Sequence, residues 1–512
     1  MNSLNVHTGL SALAKNKPNE IAITFEQNKL TYLELYNNAK SIGHSLMAKG
    51  IKKGDHVVLY MRNRIETPEI YFAISMVGAV IVPVNYMVRG NDLAALINKA
   101  DAKLAFIESE TIKDYTEILN SLKILDVKRT VLVGDEITGT SFTSYSSFNL
   151  NKFDEINVKV GYDDILCLMY SSGTTSLPKG IMLTHGVVLL RTLKLPNEWN
   201  SDYRSVFLMT LPLYHNIGFS TLFSIPVLGM RVVITRDFDS KKTLRLIEDE
   251  KITHAIFVPT QYIKMLQQPN LHQYDYSSLV RLISGGAPIT ESIKNSIIKK
   301  FNCQFSEFFG STETGVYINL RPESVLSKLT SIGQQVEDFQ IRLIDEKGND
   351  VGVGEGGEFV VRSSSLFSGY YNQPVETEGS FIEGGWFLTG DVGKIDEDGY
   401  YYLLDRKKDM IISGGVNIYS KDIEEVLFKH PSVIEAAVIG IPDELWGECV
   451  KAFVVLEEKS IETEEELVSY FNNKLPKFQR IKELEFIKEL PRNPSGKILK
   501  TQLRNNINSC TR

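Results

Sequence analysis

The stretch of this chain with the most chemical potential runs from Tyr170 to Gly180, reading Tyr-Ser-Ser-Gly-Thr-Thr-Ser-Leu-Pro-Lys-Gly. It follows the strand-like Ile165–Met169 and sets Ser171, Ser172, Gly173, Thr174 and Thr175 ahead of Lys179. Such a loop can turn several backbone N–H groups and hydroxyls toward a polyphosphate, with the lysine as counter-charge. It is not a Walker A loop, because Pro178 precedes Lys179 and Gly180 replaces the Ser/Thr that would hold a metal. A flexible surface turn is the plain alternative, but a Pro-Lys-Gly exit is unusual for one.

Other polar residues stand in segments of similar density. They are His215 in LPLYHNIGF, Glu313 in FFGSTETG, Asp391 closing GWFLTGD, Arg406 in DRKKDMIISGGVNIY and Lys497 in NPSGKILK. Each has an ordinary explanation as well. His215 could be a satisfied core histidine, Asp391 a cap or turn aspartate, Arg406 half of a surface ion pair worth little, and Lys497 a solvated lysine in a basic tail.

The elements that must position these residues alternate between helix and strand. Thr31–Lys49 shows a helical face of Leu33, Leu35, Tyr36, Ala39, Ile42 and Leu46. Short apolar strands are expected at His56–Met61, Leu104–Ile107, Thr130–Val133, Val206–Leu211, Arg231–Ile234 and His254–Val258, with a further helix–strand pair ending at Val82. Short apolar strands separated by helices imply parallel sheets covered on both faces. After about Gln340 the texture changes to strands joined by Gly- and Asp-rich turns, as in a barrel or twisted antiparallel sheet. From about Asp405 an α+β pattern follows: helix Ser420–His430, strands Ile434–Ile439 and Cys449–Leu456, helix Thr463–Leu475, then a basic tail. The expected architecture is α/β, a large N-terminal domain (1–404) of two parallel-type sheets plus a distorted β-barrel, and a small mobile α+β domain (405–512).

The length of 512 residues exceeds one hydrophobic core, so roughly two to four folding units are expected. The content of 43% hydrophobic and 23% charged residues is that of an ordinary globular protein. A net charge of −7 argues against a polyanion such as nucleic acid as main partner. Cys167, Cys303, Cys449 and Cys510 are widely spaced without a C-x-x-C pair, which speaks against a disulfide framework or zinc site and for a reducing compartment. The opening MNSLNVHTGL lacks the basic and apolar regions of a signal peptide. The apolar run Ile70–Val84, broken by Ser75 and Gly78, is shorter than the about 20 residues a bilayer requires and reads as a buried helix running into a strand. The expectation is a free-standing cytoplasmic protein without an integral membrane segment, monomeric or homodimeric.

The Tyr170–Gly180 loop resembles the phosphate loop of the adenylate-forming superfamily, which comprises acyl-CoA synthetases, adenylation domains of peptide synthetases and luciferases. LPLYHNIGF (Leu211–Phe219), SGGAP (Ser284–Pro288), FFGSTETG (Phe308–Gly315), GWFLTGD (Gly385–Asp391), DRKKDMIISGGVNIY (Asp405–Tyr419) and NPSGKILK (Asn493–Lys500) then appear in the order of that family. One match of this kind is weak evidence, but seven in order across Tyr170–Lys500 are hard to reach by chance.

The resemblance assigns expected roles. ATP or AMP would be held by Ser171, Ser172, Gly173, Thr174, Thr175, Lys179, Gly286, Phe308, Phe309, Gly310, Thr312, Asp391, Arg406 and Lys497. Within that set Asp391 and Arg406 would meet the ribose. Phe309 stands where the family usually has tyrosine and keeps the face for adenine while losing the hydroxyl. Glu313, with Thr175, would hold Mg²⁺, a hard cation that favours oxygen ligands. Lys497 would reach the carboxylate and α-phosphate, stabilising charge that builds as pyrophosphate leaves. Lys408 matches the hinge on which the small domain turns, bringing Gly414 and Gly415 to the pantetheine tunnel of coenzyme A. His215, Asn216, Ile217, Gly286 and Phe308 would line the acyl pocket, with His215 as a gate that need not move protons. Two departures concern geometry: Ser176 stands where Gly is usual, and Ser420 where Pro is frequent.

The expected reaction is therefore ATP-dependent activation of a carboxylic acid to acyl-AMP, followed by transfer to CoA. The segments look most like those of bacterial fatty acyl-CoA ligases, so a medium- or long-chain fatty acid is the first expectation. The alternative is an aryl or hydroxyaryl acid, loaded onto CoA or a carrier protein, with Asn216 bonding a ring hydroxyl. A nucleotide-binding sensor without catalysis is the rival of another class, against which the set Lys179, Glu313, Asp391, Arg406 and Lys497 argues. Two signals are set aside. Gly352–Gly357 fits G-x-G-x-x-G but precedes a strand, and Ile42–Leu46 resembles a phosphopantetheine site but lies inside an amphipathic helix.

Overall fold

The computed structural model describes residues 4–134, 140–170, 178–414, 416–457, 460–492 and 498–510. The chain packs into two compact units, Met1–Phe339 with Ser363–Gly379, and Gln340–Arg362 with Ser380–Arg512.

Among the described residues the first unit contains a nine-stranded and a seven-stranded sheet. In the seven-stranded sheet, Thr130–Val133, Ala102–Glu108, His56–Tyr60, Val80–Pro83 and Ile165–Tyr170 run parallel as neighbours, and Gly180–Thr184 closes one edge antiparallel. His56–Tyr60 and Val80–Pro83 are buried at every position, which is why they read as unbroken apolar runs without alternation. In the larger sheet the parallel strands are Gln304–Ser311, Arg281–Ser284, His254–Phe257, Val206–Met209, Arg231–Ile234 and Ile21–Phe25, in that spatial order. The segment Ile70–Val84 is the expected buried helix (within Glu66–Met76) leading into a strand. The helix foreseen at Thr31–Lys49 spans Tyr32–Ala48, started by a capping box in which Thr31 and Glu34 satisfy each other's backbone N–H.

The second unit holds two sheets that are mostly antiparallel. Gln340–Ile344, Gly357–Arg362, Trp386–Ile395, Phe381–Ile382 and Tyr401–Arg406 make the first, so the G-x-G-x-x-G run does lead into a strand. The second joins Val433–Asp443 to Gly447–Leu456 in a long hairpin, with Ile411–Ser413, Val416–Ile418 and Ile481–Phe486 alongside. Ile423 and Leu427 of the Ser420–Leu427 helix and Leu467 and Phe471 of the Glu464–Asn472 helix cover it through one apolar core. The large N-terminal α/β part with mixed sheets and the small C-terminal part with antiparallel sheets follow the sequence reading. Among the described residues no helix is long and apolar enough to cross a membrane.

Candidate active site

The phosphate-loop candidate is the connection of a hairpin. Tyr170 pairs with Gly180 at the mouth of the turn, so the loop leaves one strand and returns on its antiparallel neighbour. Ser171, Ser172, Gly173, Thr174, Thr175 and Ser176 lie outside the described residues, as do Gly415 and Lys497. Lys179, at the exit, places its ammonium 4.5 Å from the centroid of the Tyr370 ring. Tyr370 comes from a segment laid along the Gly180–Thr184 strand: it bridges Ile181, while Tyr371 N–H donates to Gly180 O at 2.8 Å. Its hydroxyl donates to Glu313 Oε1 at 3.2 Å. One tyrosine thus gathers the loop lysine and the metal-ligand candidate, and it was not among the residues singled out from sequence. The nearest signal is the Gly369-Tyr370-Tyr371 run, which reads equally well as a strand end.

Glu313 sits at the tip of the hairpin joining Gln304–Ser311 to Gly315–Leu320. Ser311 and Thr314 tie the tip together, Ser311 N–H donating to Thr314 Oγ1 at 2.9 Å and Thr314 N–H returning to Ser311 Oγ at 3.2 Å. Thr312 and Glu313 remain half-buried. The donor set is a carboxylate, hydroxyls and an ammonium, hard oxygen ligands beside a counter-charge, which suits Mg²⁺ on a polyphosphate.

The residues expected on the acyl side each follow or lie toward the carboxyl end of a parallel strand, where open α/β sheets bind ligands. The chain reaches His215 after Val206–Met209, Gly286 after Arg281–Ser284, and Phe308 near the end of Gln304–Ser311. Phe308 and Phe309 point to opposite faces of their strand. The Phe308 ring is buried over Gly285, where an added Cβ would lie 2.3 Å from the ring, and it packs on Trp199 with centroids 6.0 Å apart. Phe309 is half-buried and meets Tyr317 edge-on at 5.5 Å. Gly310 has to be glycine, since a Cβ would lie 1.9 Å from Gly315 O.

His215 is the N-cap residue of the Asn216–Leu228 helix. Burial pushes its imidazole down to about 4, so it is neutral at physiological pH and unsuited to proton transfer there. Its Nε2 has no hydrogen-bond partner among the described residues. Asn216 accepts from Ser220 Oγ on the next turn at 3.3 Å, and Ile217 stands beside it, half-buried.

In the second unit Asp391 and Arg406 are opposite each other on paired strands, with Arg406 Nε 2.6 Å from Asp391 Oδ1. Asp391 is only 3% exposed, so Arg406 offsets a buried carboxylate. Lys408 lies in the turn after Arg406, where Asp409 and Met410 N–H groups both donate to Arg406 O. Gly414 turns between Ile411–Ser413 and Val416–Ile418, donating its N–H to Trp446 O at 2.8 Å. Ser420 explains its own departure from proline: its N–H and hydroxyl both donate to Asp405 Oδ2, at 2.6 and 2.7 Å, and Lys500 in turn donates to its Oγ at 2.5 Å. A proline could supply neither donor.

This arrangement of sheets and motifs defines a class. Residues 10–371 match the family model described as AMP-binding enzyme, and residues 422–497 match AMP-binding enzyme C-terminal domain. The chain is 33% identical to the long-chain-fatty-acid–CoA ligase FadD13 of Mycobacterium tuberculosis, with 93% of each chain covered. It is 32% identical to the fatty acid–[acyl-carrier-protein] ligase ScoC of Streptomyces coeruleorubidus, covering 96% of this chain and 94% of the other. Among solved structures, the o-succinylbenzoate CoA synthetase of Bacillus subtilis with ATP and magnesium superposes with a TM-score of 0.86 at 28% identity, over 97% of this chain and 98% of that one. The chain belongs to the AMP-binding enzyme family, the adenylate-forming superfamily. Within it, this protein is an ATP-dependent acid-activating enzyme of the acyl-CoA ligase type, an AMP-forming acid–thiol ligase.

Proposed function

We propose that the protein joins a medium- or long-chain fatty acid to coenzyme A through an acyl-adenylate. The observation that carries the adenylation chemistry is the cluster of Lys179, Tyr370 and Glu313, a cation and a fixed carboxylate at the exit of the Ser/Thr/Gly loop. Lys179 neutralises phosphate charge, and Glu313 would hold Mg²⁺, which supplies further neutralisation of the polyphosphate when bound. Asp391 and Arg406 bind the ribose hydroxyls, and Phe309 offers its ring to adenine. The fatty-acid carboxylate attacks the α-phosphorus, pyrophosphate leaves, and Lys497 stabilises the developing charge. The CoA thiol then attacks the acyl carbonyl and AMP leaves. Domains 1–404 and 405–512 exchange between the two half-reactions by turning at Lys408, in a cytoplasmic monomer or homodimer.

The aliphatic choice is supported by Asn216, whose amide oxygen already has Ser220 as a donor and so does not call for a polar group on the substrate. A second reading, a hydroxyaryl acid, is favoured by His215 Nε2, a buried polar atom that a ring hydroxyl would satisfy. The likeness to the o-succinylbenzoate enzyme supports an aryl acid, without calling for a ring hydroxyl.

Pyrophosphate release across acids from acetate to palmitate, with benzoate and dihydroxybenzoates, tests the choice. Asn216→Ala should leave fatty-acid turnover within a few-fold of the parent. If the substrate is a hydroxyaryl acid whose ring hydroxyl also bonds Asn216, the lost hydrogen bond should instead cost about 1–3 kcal/mol. AMP formation with and without CoA tests the acceptor, and a carrier protein replaces CoA if CoA fails to speed it.

A further inference from the structure

Arg191 lies near the end of the His185–Leu193 helix, which follows directly on the Gly180–Thr184 strand and is capped by Thr184. Arg191 is buried, at 9% exposure, yet among the described residues no carboxylate pairs with its guanidinium. All three donor nitrogens go to main-chain carbonyls. Nε donates to Ser365 O at 3.1 Å, Nη1 to Thr312 O at 3.0 Å and Nη2 to Glu313 O at 2.8 Å. Gly315 packs against the same group: it turns with φ +71°, and a Cβ there would lie 2.7 Å from Arg191 Nε.

A buried cation without a carboxylate partner is costly, and an apolar side chain of similar volume would serve stability better. The planar fork of arginine has a use here that lysine cannot match, because it spans carbonyls from two separate segments at fixed angles. Two of those carbonyls flank the peptide that carries Glu313. Together with the Tyr370 hydroxyl on Glu313 Oε1 and the Phe367 N–H on Glu313 O (2.8 Å), they leave that residue little freedom.

We propose that Arg191 is a positioning residue for the Mg²⁺·ATP site, holding the Thr312–Glu313 main chain so that the Glu313 carboxylate is already placed when the metal nucleotide arrives. The inference rests on the reading of Glu313 as the Mg²⁺ ligand. It adds a residue in a different element, fixed to the strand that follows the phosphate loop.

The test is ATP binding by isothermal titration calorimetry over a series of Mg²⁺ concentrations, on the parent, Arg191→Lys, Gly315→Ala and Glu313→Gln, with thermal unfolding recorded for each. Arg191→Lys keeps the charge and loses the fork; Gly315→Ala keeps the arginine and pushes it aside with one methyl group. Both should raise the Mg²⁺ needed for half-maximal ATP binding by about fivefold or more, while ATP affinity without Mg²⁺ stays within about twofold. The same variants should convert supplied acyl-adenylate and CoA to acyl-CoA at near-parental rates. If Arg191→Lys does not fold, Gly315→Ala decides alone. A fall in melting temperature with an unchanged Mg²⁺ requirement assigns Arg191 a structural role only and overturns the proposal. If Glu313→Gln shifts the requirement and the other two do not, the inference alone fails. If Glu313→Gln leaves it unmoved, the reading of Glu313 fails and takes the inference with it.

Discussion

Arg406 Nε approaches Asp391 Oδ1 to 2.6 Å across neighbouring antiparallel strands, and the two residues face each other in register. Asp391 is buried and Arg406 is about one-third exposed, so the pair presents one covered carboxylate and one accessible cation. If they bind the ribose, Asp391→Asn, which keeps the shape and removes the charge, should raise KM for ATP by about ten- to 150-fold, the range of a lost hydrogen bond to a charged group. The effect on kcat should be smaller, because the ribose contact is made equally in ground and transition states. Steady-state kinetics with ATP varied would settle it, and an unchanged KM would remove Asp391 from the nucleotide site.

Lys497→Ala should slow adenylation by roughly 10²-fold or more, the scale of one preorganised electrostatic contact. If the lysine acts only in the first step, as proposed, acyl-CoA formation from supplied acyl-adenylate should survive. Measuring the half-reactions separately gives the answer; an equal loss in both would argue against separate conformations for them.

Lys408→Pro tests the pivot. Proline fixes φ near −65° and removes the backbone N–H in the turn after Arg406. If the frozen state is the adenylating one, acyl-AMP should form at near-parental rate while CoA-dependent release collapses. The readout is one equivalent of pyrophosphate per enzyme without matching acyl-CoA. Parental acyl-CoA synthesis would move the pivot, and the boundary at 404/405 with it.

Acid stability follows from four buried imidazoles. Burial lowers His7, His215 and His254 to about 4 and His185 to about 3, from the usual 6.5. The unfolded chain therefore binds more protons than the folded one below about pH 6.5, and stability is lost as pH falls from there toward 4. Urea unfolding midpoints should fall steadily between pH 7 and pH 5, beyond the loss expected from exposed carboxylates, which are still ionised there. A midpoint unchanged across that range would show that these rings are not buried in the neutral form.

Much of this protein is legible in one dimension, for a definite reason in each case. Strands covered on both faces must be apolar throughout, so Arg231–Ile234 and Thr130–Val133 coincide with their expected limits. A Thr-x-x-Glu cap marks where the Tyr32–Ala48 helix begins. The Ser/Thr/Gly run ahead of Lys179 is a local pattern too, so Lys179 can be singled out as a candidate from its segment, whereas Glu313 is singled out through the family resemblance of FFGSTETG.

The sequence by itself determined the element types, the order of the chemical segments and the class of reaction. Tertiary structure decided which groups meet. Tyr370 reaches Glu313 across 57 residues because its segment lies along the Gly180–Thr184 strand. Arg191 looks like the polar side of a helix until three carbonyls, each more than 120 residues away, are seen to share it. Ser420 reads as a lost proline until Asp405 and Lys500 are found on its hydroxyl. Side-chain type and periodicity record only whether a position is buried or exposed. A hydrogen bond between distant segments depends on strand order and on crossover connections, which hydrophobic patterning leaves open.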